Sequence, residues 1–192
     1  MTVLLLGLVL FLGVHSVRIF ADDWRSATIR RIGAQPWKGL YSLASIAGFV
    51  LIVWGFGIAR AMPVQWWSPP PALRHLAIVL TLVSFVLLAA AYVPGNGIKA
   101  RVHHPMVLSV KVWALAHLLA NGNAAHVVLF GAFLLWAIFN FMAARRRDRA
   151  EAVVYAPGRW AATLTTCVLG VVAWAAFAYW LHGWLIGIRP LS

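Results

Sequence analysis

Of the 192 residues, 63% are hydrophobic and only 10% are charged, and the mean hydropathy is +0.86. A soluble domain carries about 25% charged residues, so this chain has too little polar surface to cover a water-facing globule, and lipid is the solvent it expects. The formal charge of +12, from 16 Lys and Arg against 4 Asp and Glu, does not imply a nucleic-acid partner. The basic residues sit in short links between apolar segments, where the positive-inside effect alone puts them. The single cysteine, Cys167, excludes an intramolecular disulfide and Cys-rich zinc or iron–sulfur sites, and its apolar context implies a buried structural thiol.

At the N-terminus, Met1-Thr2-Val3 runs straight into Leu4, Leu5 and Leu6, and the first arginine is Arg18. A cleavable signal opens with a basic n-region; here the positive charge follows the apolar run, the pattern of an uncleaved helix that starts outside. Six apolar stretches follow one another, at 2–20, 40–62, 72–93, 105–121, 124–144 and 161–185. About 20 helical residues cross the hydrocarbon, so five stretches are long enough and 105–121 is short. Asn121-Gly122-Asn123 is a turn signal that makes the fourth and fifth stretches a helical hairpin. Unpaired backbone cannot persist in lipid, so the segments are helices. The expected fold is all-α, a polytopic membrane helix bundle of about six transmembrane helices, with residues 1–192 forming one domain.

The links predict the orientation. Arg18, Arg25, Arg30, Arg31 and Lys38 follow the first helix, Lys99 and Arg101 the third, and Arg145, Arg146, Arg147, Arg149 and Arg159 the fifth. The opposite set holds only Arg60, Arg74 and Arg189, a bias of twelve against three. Both termini are therefore expected outside and the protein in the inner membrane. The stretches 24–37 and 143–160 should form a basic cytoplasmic surface drawn to anionic lipid, with Trp24, Trp37, Trp66, Trp67 and Trp160 at interfacial depth. Asp148 and Glu151 are expected only to temper that charge.

Seven histidines are present. His15 and His117 lie inside apolar helices, where an idle polar ring is costly; His75, His126 and His182 lie near helix ends, where water or headgroups can satisfy them. His103-His104-Pro105 marks the entrance of the fourth helix, since proline suits a first turn. His104 and His117 are 13 positions apart, so they point about 140° apart and lie about 20 Å apart along the helix axis. They cannot grip one cofactor from the same helix. His117 shares a face with Met106, Val110, Trp113 and Asn121, and His104 with Leu108, Lys111 and Leu115. Lys111, a cation deep in a helix, either snorkels to the interface or faces an anionic cofactor group.

Single imidazoles on separate helices are the usual grip on a membrane b-type haem. Gly7, Gly13, Gly48, Gly55 and Gly57 would let helices close in around such a plate, and Arg18, Arg101 or Lys111 could serve its propionates. No Cys-x-x-Cys-His is present, so covalent attachment is ruled out. From spacing alone, polar contacts between helices account for the same histidines more simply.

Gly13-Val14-His15-Ser16-Val17-Arg18 with Asp22-Asp23-Trp24-Arg25, and later His104-Pro105-Met106 through Lys111, Trp113, Ala116-His117-Leu118-Leu119-Ala120 and Asn121-Gly122, resemble the NnrU family over essentially the whole chain. That family comprises bacterial membrane proteins associated with denitrification and nitrite or nitric oxide metabolism. It is related to the plant 15-cis-zeta-carotene isomerase, a haem-b membrane enzyme. The resemblance implies haem b as cofactor, with His15 and His117 as axial metal ligands; His104, Lys111 and Arg18 are further cofactor-binding candidates by their positions. It also implies the lipid bilayer, a hydrophobic small molecule or nitric oxide, and a respiratory enzyme as partners. His104 is the alternative to His117, because His15 should lie about 10 Å from the cytoplasmic edge and His117 nearer the outer one.

Two other readings stand beside this one: a haem-dependent carotenoid or isoprenoid isomerase-like enzyme, and a non-enzymatic accessory factor for respiratory metalloenzymes. A small lipid-modifying methyltransferase would need a cytoplasmic cavity, for which only Gly95-Asn96-Gly97, His103 and His104 offer a lining. A proton-coupled transporter is disfavoured by helices without carboxylates. Reporter fusions after Ala150 and after Ser192 should read opposite compartments; the same compartment for both would overturn the topology.

Overall fold

The computed structural model describes residues 1–191. Its helices are α1 (Thr2–Phe20), α2 (Asp22–Ile32), α3 (Ala34–Ala61), α4 (Pro71–Tyr92), α5 (Gly97–Val102), α6 (Pro105–Ala120), α7 (Ala124–Ala150) and α8 (Trp160–Ala176), which runs through a π-helical turn (Phe177–Leu181) into α9 (His182–Ile186). Five stretches, counting α8 to α9 as one, are long and apolar enough to cross a membrane, and α6 is a shorter apolar helix. Val9 and Leu43 are 73% and 68% exposed, and apolar side chains of this kind face outward along the long helices. Such surfaces suit lipid rather than water; the protein is a multi-pass helical membrane protein.

Local signals set the helix ends. Pro71 and Pro105 open α4 and α6, where a missing N–H costs nothing. Two short helices, α2 and α5, lie in the links between apolar stretches. In α2, Asp22 and Asp23 stand in the first turn and Arg30 and Arg31 in the last, matching the helix dipole at both ends. Asn96 caps α5 by accepting from the Lys99 N–H at 2.8 Å.

The chain divides into two compact units. The first, Met1–Ser68 with Asn121–Ala143, is built on α1 packed antiparallel to α3. A Cβ on Gly7 would lie 2.6 Å from the Ile52 nitrogen, one on Gly48 2.7 Å from that of Phe11, and one on Gly55 2.3 Å from that of Leu4. These three glycines bring backbone against backbone, which is how helices gain packing where lipid supplies no hydrophobic drive. Gly13 and Gly57, expected to act the same way, meet nothing within 4 Å. Beyond the C-terminus of α3, the Gly122 carbonyl accepts from the Trp66 N–H at 2.8 Å, and Ala124 donates to Val64 at 2.9 Å. The Asn121-Gly122-Asn123 turn is thus pinned under the segment 64–67.

The second unit, Pro69–Ala120 with Ala144–Ser192, centres on α4, flanked by α6 and α8. Ser84 donates to the Ser109 carbonyl at 2.9 Å, Trp174 Nε1 donates to Thr81 at 3.1 Å, and Gly170 lets α8 close on Val86. Asn96, 1% exposed, also donates to the Ala90 carbonyl. Gly158 lies directly on Gly97, Arg159 donates to the Gly95 carbonyl at 2.8 Å, and Gly97 donates to Thr163 at 2.7 Å. The Gly95-Asn96-Gly97 loop is therefore packed against Gly158, Arg159 and Thr163. Cys167 is half-buried rather than buried.

Gly122→Ala should lower unfolding stability in detergent by about 3 kcal/mol or more, since its Cβ would fall 1.8 Å from the Trp67 carbonyl oxygen. Gly13→Ala, with open space around it, should be neutral or stabilise by up to about 1 kcal/mol. Equal effects in the two variants would contradict the pinned turn.

Candidate functional site

His15 stands on α1 in an aromatic setting. Its ring stacks on Phe11 at 4.2 Å and lies 5.2 Å from Tyr41 and 6.1 Å from Trp136, the last edge-on at 85°. Nδ1 meets the Phe11 carbonyl oxygen at 2.7 Å. A carbonyl can only accept, so Nδ1 carries a proton, and in the neutral ring the lone pair is on Nε2. His117, in the other unit, repeats the arrangement: Nδ1 donates to the Trp113 carbonyl, four residues back, at 2.9 Å. An imidazole whose Nδ1–H is tied to a backbone carbonyl has the tautomer and the fixed ring that metal ligation by Nε2 requires. Both rings therefore fit an iron ligand. Among the described residues no three His, Cys, Asp or Glu side chains converge as a metal site; an axial imidazole on haem acts singly or in pairs.

Beside His15 lies the one buried side-chain polar atom recorded without a hydrogen-bond partner among the described residues, Trp136 Nε1. Arg18 is exposed in the last turn of α1, and Lys111 is half-buried at mid-length in α6.

His104 is placed differently. Its Nε2 donates to Asp148 Oδ2 at 2.8 Å, and the same oxygen accepts from the Tyr155 hydroxyl at 3.1 Å. His103 stacks flat on Tyr155, with centroids 4.1 Å apart and planes 6° from parallel, and its Nδ1 accepts from the Arg145 guanidinium. The backbone beneath it is strained. His103 has φ 66° and ψ −49°, and the His104 N–H donates to the Val102 carbonyl at 2.8 Å, closing a γ-turn of the rare positive-φ kind. An open cleft of about 290 Å³ is lined by His103, Arg145, Asp148, Arg149, Ala152 and Val153. Asp148, expected only to dilute the basic surface, instead holds the segment 151–159 to the start of α6. Burial pushes the Tyr155 phenol above its ordinary value, and the bond to Asp148 and the carboxylate charge push the same way.

His126 and His182 each have a protein partner for one ring nitrogen. The first meets the Asn123 side chain at 2.6 Å, and the second meets the Ile188 carbonyl at 2.6 Å.

The model of one protein family, described as NnrU protein, matches residues 3–190. The chain belongs to the NnrU family. No curated protein and no solved structure matches it. The motif residues that pointed to NnrU have structural work in this chain: Pro105 opens α6, Trp113 supplies the carbonyl that holds His117, and Gly122 fits beneath Trp67. What the sequence reading missed is the cluster around Asp148. Its members are spread from 103 to 155, and no local spacing joins them.

Asp148→Asn should free the segment 151–159, with limited proteolysis there about tenfold faster. Phenolate absorbance, corrected with Tyr155→Phe, should show Tyr155 ionising at lower pH in that variant, nearer the ordinary value. With a raised folded pKa, this phenol's contribution is present below about pH 10 and is lost as pH rises above it. An unchanged Tyr155 titration would show that Asp148 does not hold the phenol.

Proposed function

We propose that this NnrU-family chain is a bacterial inner-membrane protein of denitrification and nitric oxide metabolism, and that it carries non-covalent haem b with His15 as an axial ligand. The observation that carries the reading is the tautomer of His15. Its Nδ1–H is committed to the Phe11 carbonyl, so Nε2 holds the lone pair amid Phe11, Tyr41 and Trp136. Aromatic walls of this kind pack a macrocycle, and the fixed ring spares the entropy of orienting a ligand. His117 carries the same backbone tie within its own unit and is the next candidate ligand. His104 is engaged by Asp148, which favours a structural part for it. Bound haem supplies a redox-active iron able to take a diatomic gas when a coordination position opens. Family membership supports the link to denitrification, and the resemblance to the plant isomerase supports the choice of cofactor.

The test is an absorption spectrum of detergent-purified protein, oxidised and reduced, with a pyridine haemochrome assay. His15→Ala and His117→Ala should lose most of the haem, and His104→Ala should keep it. A well-folded protein from haem-replete cells with no Soret band would overturn the proposal and favour an accessory role for respiratory metalloenzymes.

A further inference from the structure

We infer that Trp136 is a binding residue for a ligand held by His15: its indole N–H donates a hydrogen bond to that ligand, and on haem b the acceptor is a propionate carboxylate. The inference rests on the haem reading above and adds to it a residue outside the motifs of the resemblance. An indole nitrogen can only donate, and a buried donor left without an acceptor costs as much as a lost hydrogen bond. Trp136 Nε1 is such a donor among the described residues. Other polar side chains of the same unit have partners. Ser45 donates to the Tyr41 carbonyl at 2.7 Å, His15 to that of Phe11, and His126 is bound to Asn123.

The position of the idle donor is specific. Helix α7 runs alongside α1, with Phe133 against Phe11 at 5.9 Å, Trp136 against His15 at 6.1 Å and Phe139 against Phe20 at 6.2 Å. Of these three rings on α7, only the one at the level of the candidate ligand carries a donor. An occupant gripped by His15 would meet that donor. The four ring nitrogens of a haem are committed to its iron, so its remaining acceptors are the two peripheral carboxylates. These are also the strongest acceptors available, because hydrogen bonds to an ionised group are about twice as strong as neutral ones. Arg18, one turn beyond His15 towards the end of α1, brings positive charge to the same stretch of helix, as a carboxylate there requires.

The test measures haem release from the full-length protein in detergent to excess apomyoglobin. Two donor-free replacements are compared with wild type: Trp136→Phe, and Trp136 replaced by benzothienylalanine, which keeps the indole shape with sulfur in place of N–H. Loss of one hydrogen bond to a charged acceptor should speed release on the order of tenfold in both. With haem dimethyl ester in place of haem b, the difference between wild type and variants should shrink to about twofold or less. Unchanged release of haem b from the benzothienyl protein overturns the inference, and so does an equal acceleration with the ester. Should Trp136→Phe fail to fold, the benzothienyl protein decides alone. A folded wild type that takes up no haem removes the haem reading itself, and is distinguished by the missing Soret band before any variant is compared.

Discussion

Hydrocarbon offers no hydrogen bonds, so a polar side chain on a membrane helix has to find its partner within the protein. Here the recurring solution is the carbonyl three or four residues earlier on the same helix. Ser45 uses Tyr41, Thr81 uses Ile78, Thr165 uses Ala161 and Thr166 uses Ala162. His15 and His117 follow the same rule with Phe11 and Trp113. For a hydroxyl this ends the matter, because its one proton has been placed. An imidazole has a second nitrogen, and tying the first fixes what the second can do. The requirement that keeps a serine quiet therefore prepares a histidine for ligation.

Close backbone approach is the other constraint, and it divides the glycines sharply. Gly7, Gly48 and Gly55 hold α1 against α3, and Gly170 holds α8 against Val86, whereas Gly13 and Gly57 face open space. Composition marks glycines as permissive, but only the register of two helices shows which of them are needed. Gly97 and Gly158 meet across an interval of sequence that no local pattern could join.

Much of the architecture was nonetheless legible. The apolar run of α1 has the bounds read from its sequence, because Met1 and Ala21 flank a predominantly hydrophobic stretch. Pro105 and the Asn121 turn marked their boundaries by backbone chemistry alone. The helices α2 and α5 were hidden, since hydropathy averages over their charges; α2 could have been found from Asp22-Asp23 at one end and Arg30-Arg31 at the other. Of the candidate site, His15 and His117 stood out because an imidazole in an apolar run is conspicuous. Trp136 did not, because one tryptophan among eleven signals nothing until its nitrogen is seen to lack an acceptor. Asp148 was misread for a related reason. A carboxylate inside an Arg-rich run looks like charge balance, and its bonds to His104 and Tyr155 depend on the chain returning from 44 residues away.

The seam between Gly95-Asn96-Gly97 and Gly158-Arg159 has a consequence for how the protein is made. Arg159 reaches the Gly95 carbonyl, and Gly97 reaches Thr163, so roughly sixty residues must leave the ribosome before the contact can close. At about 5–20 residues per second that is a wait of several seconds. Throughout it, buried Asn96 can hold α5 by its own local bonds to Lys99, Ala90 and Val93. A loop stapled by its own side chain keeps its glycine face presented until the last long helix arrives, which makes Asn96 a placeholder during biogenesis as well as a cap in the finished bundle.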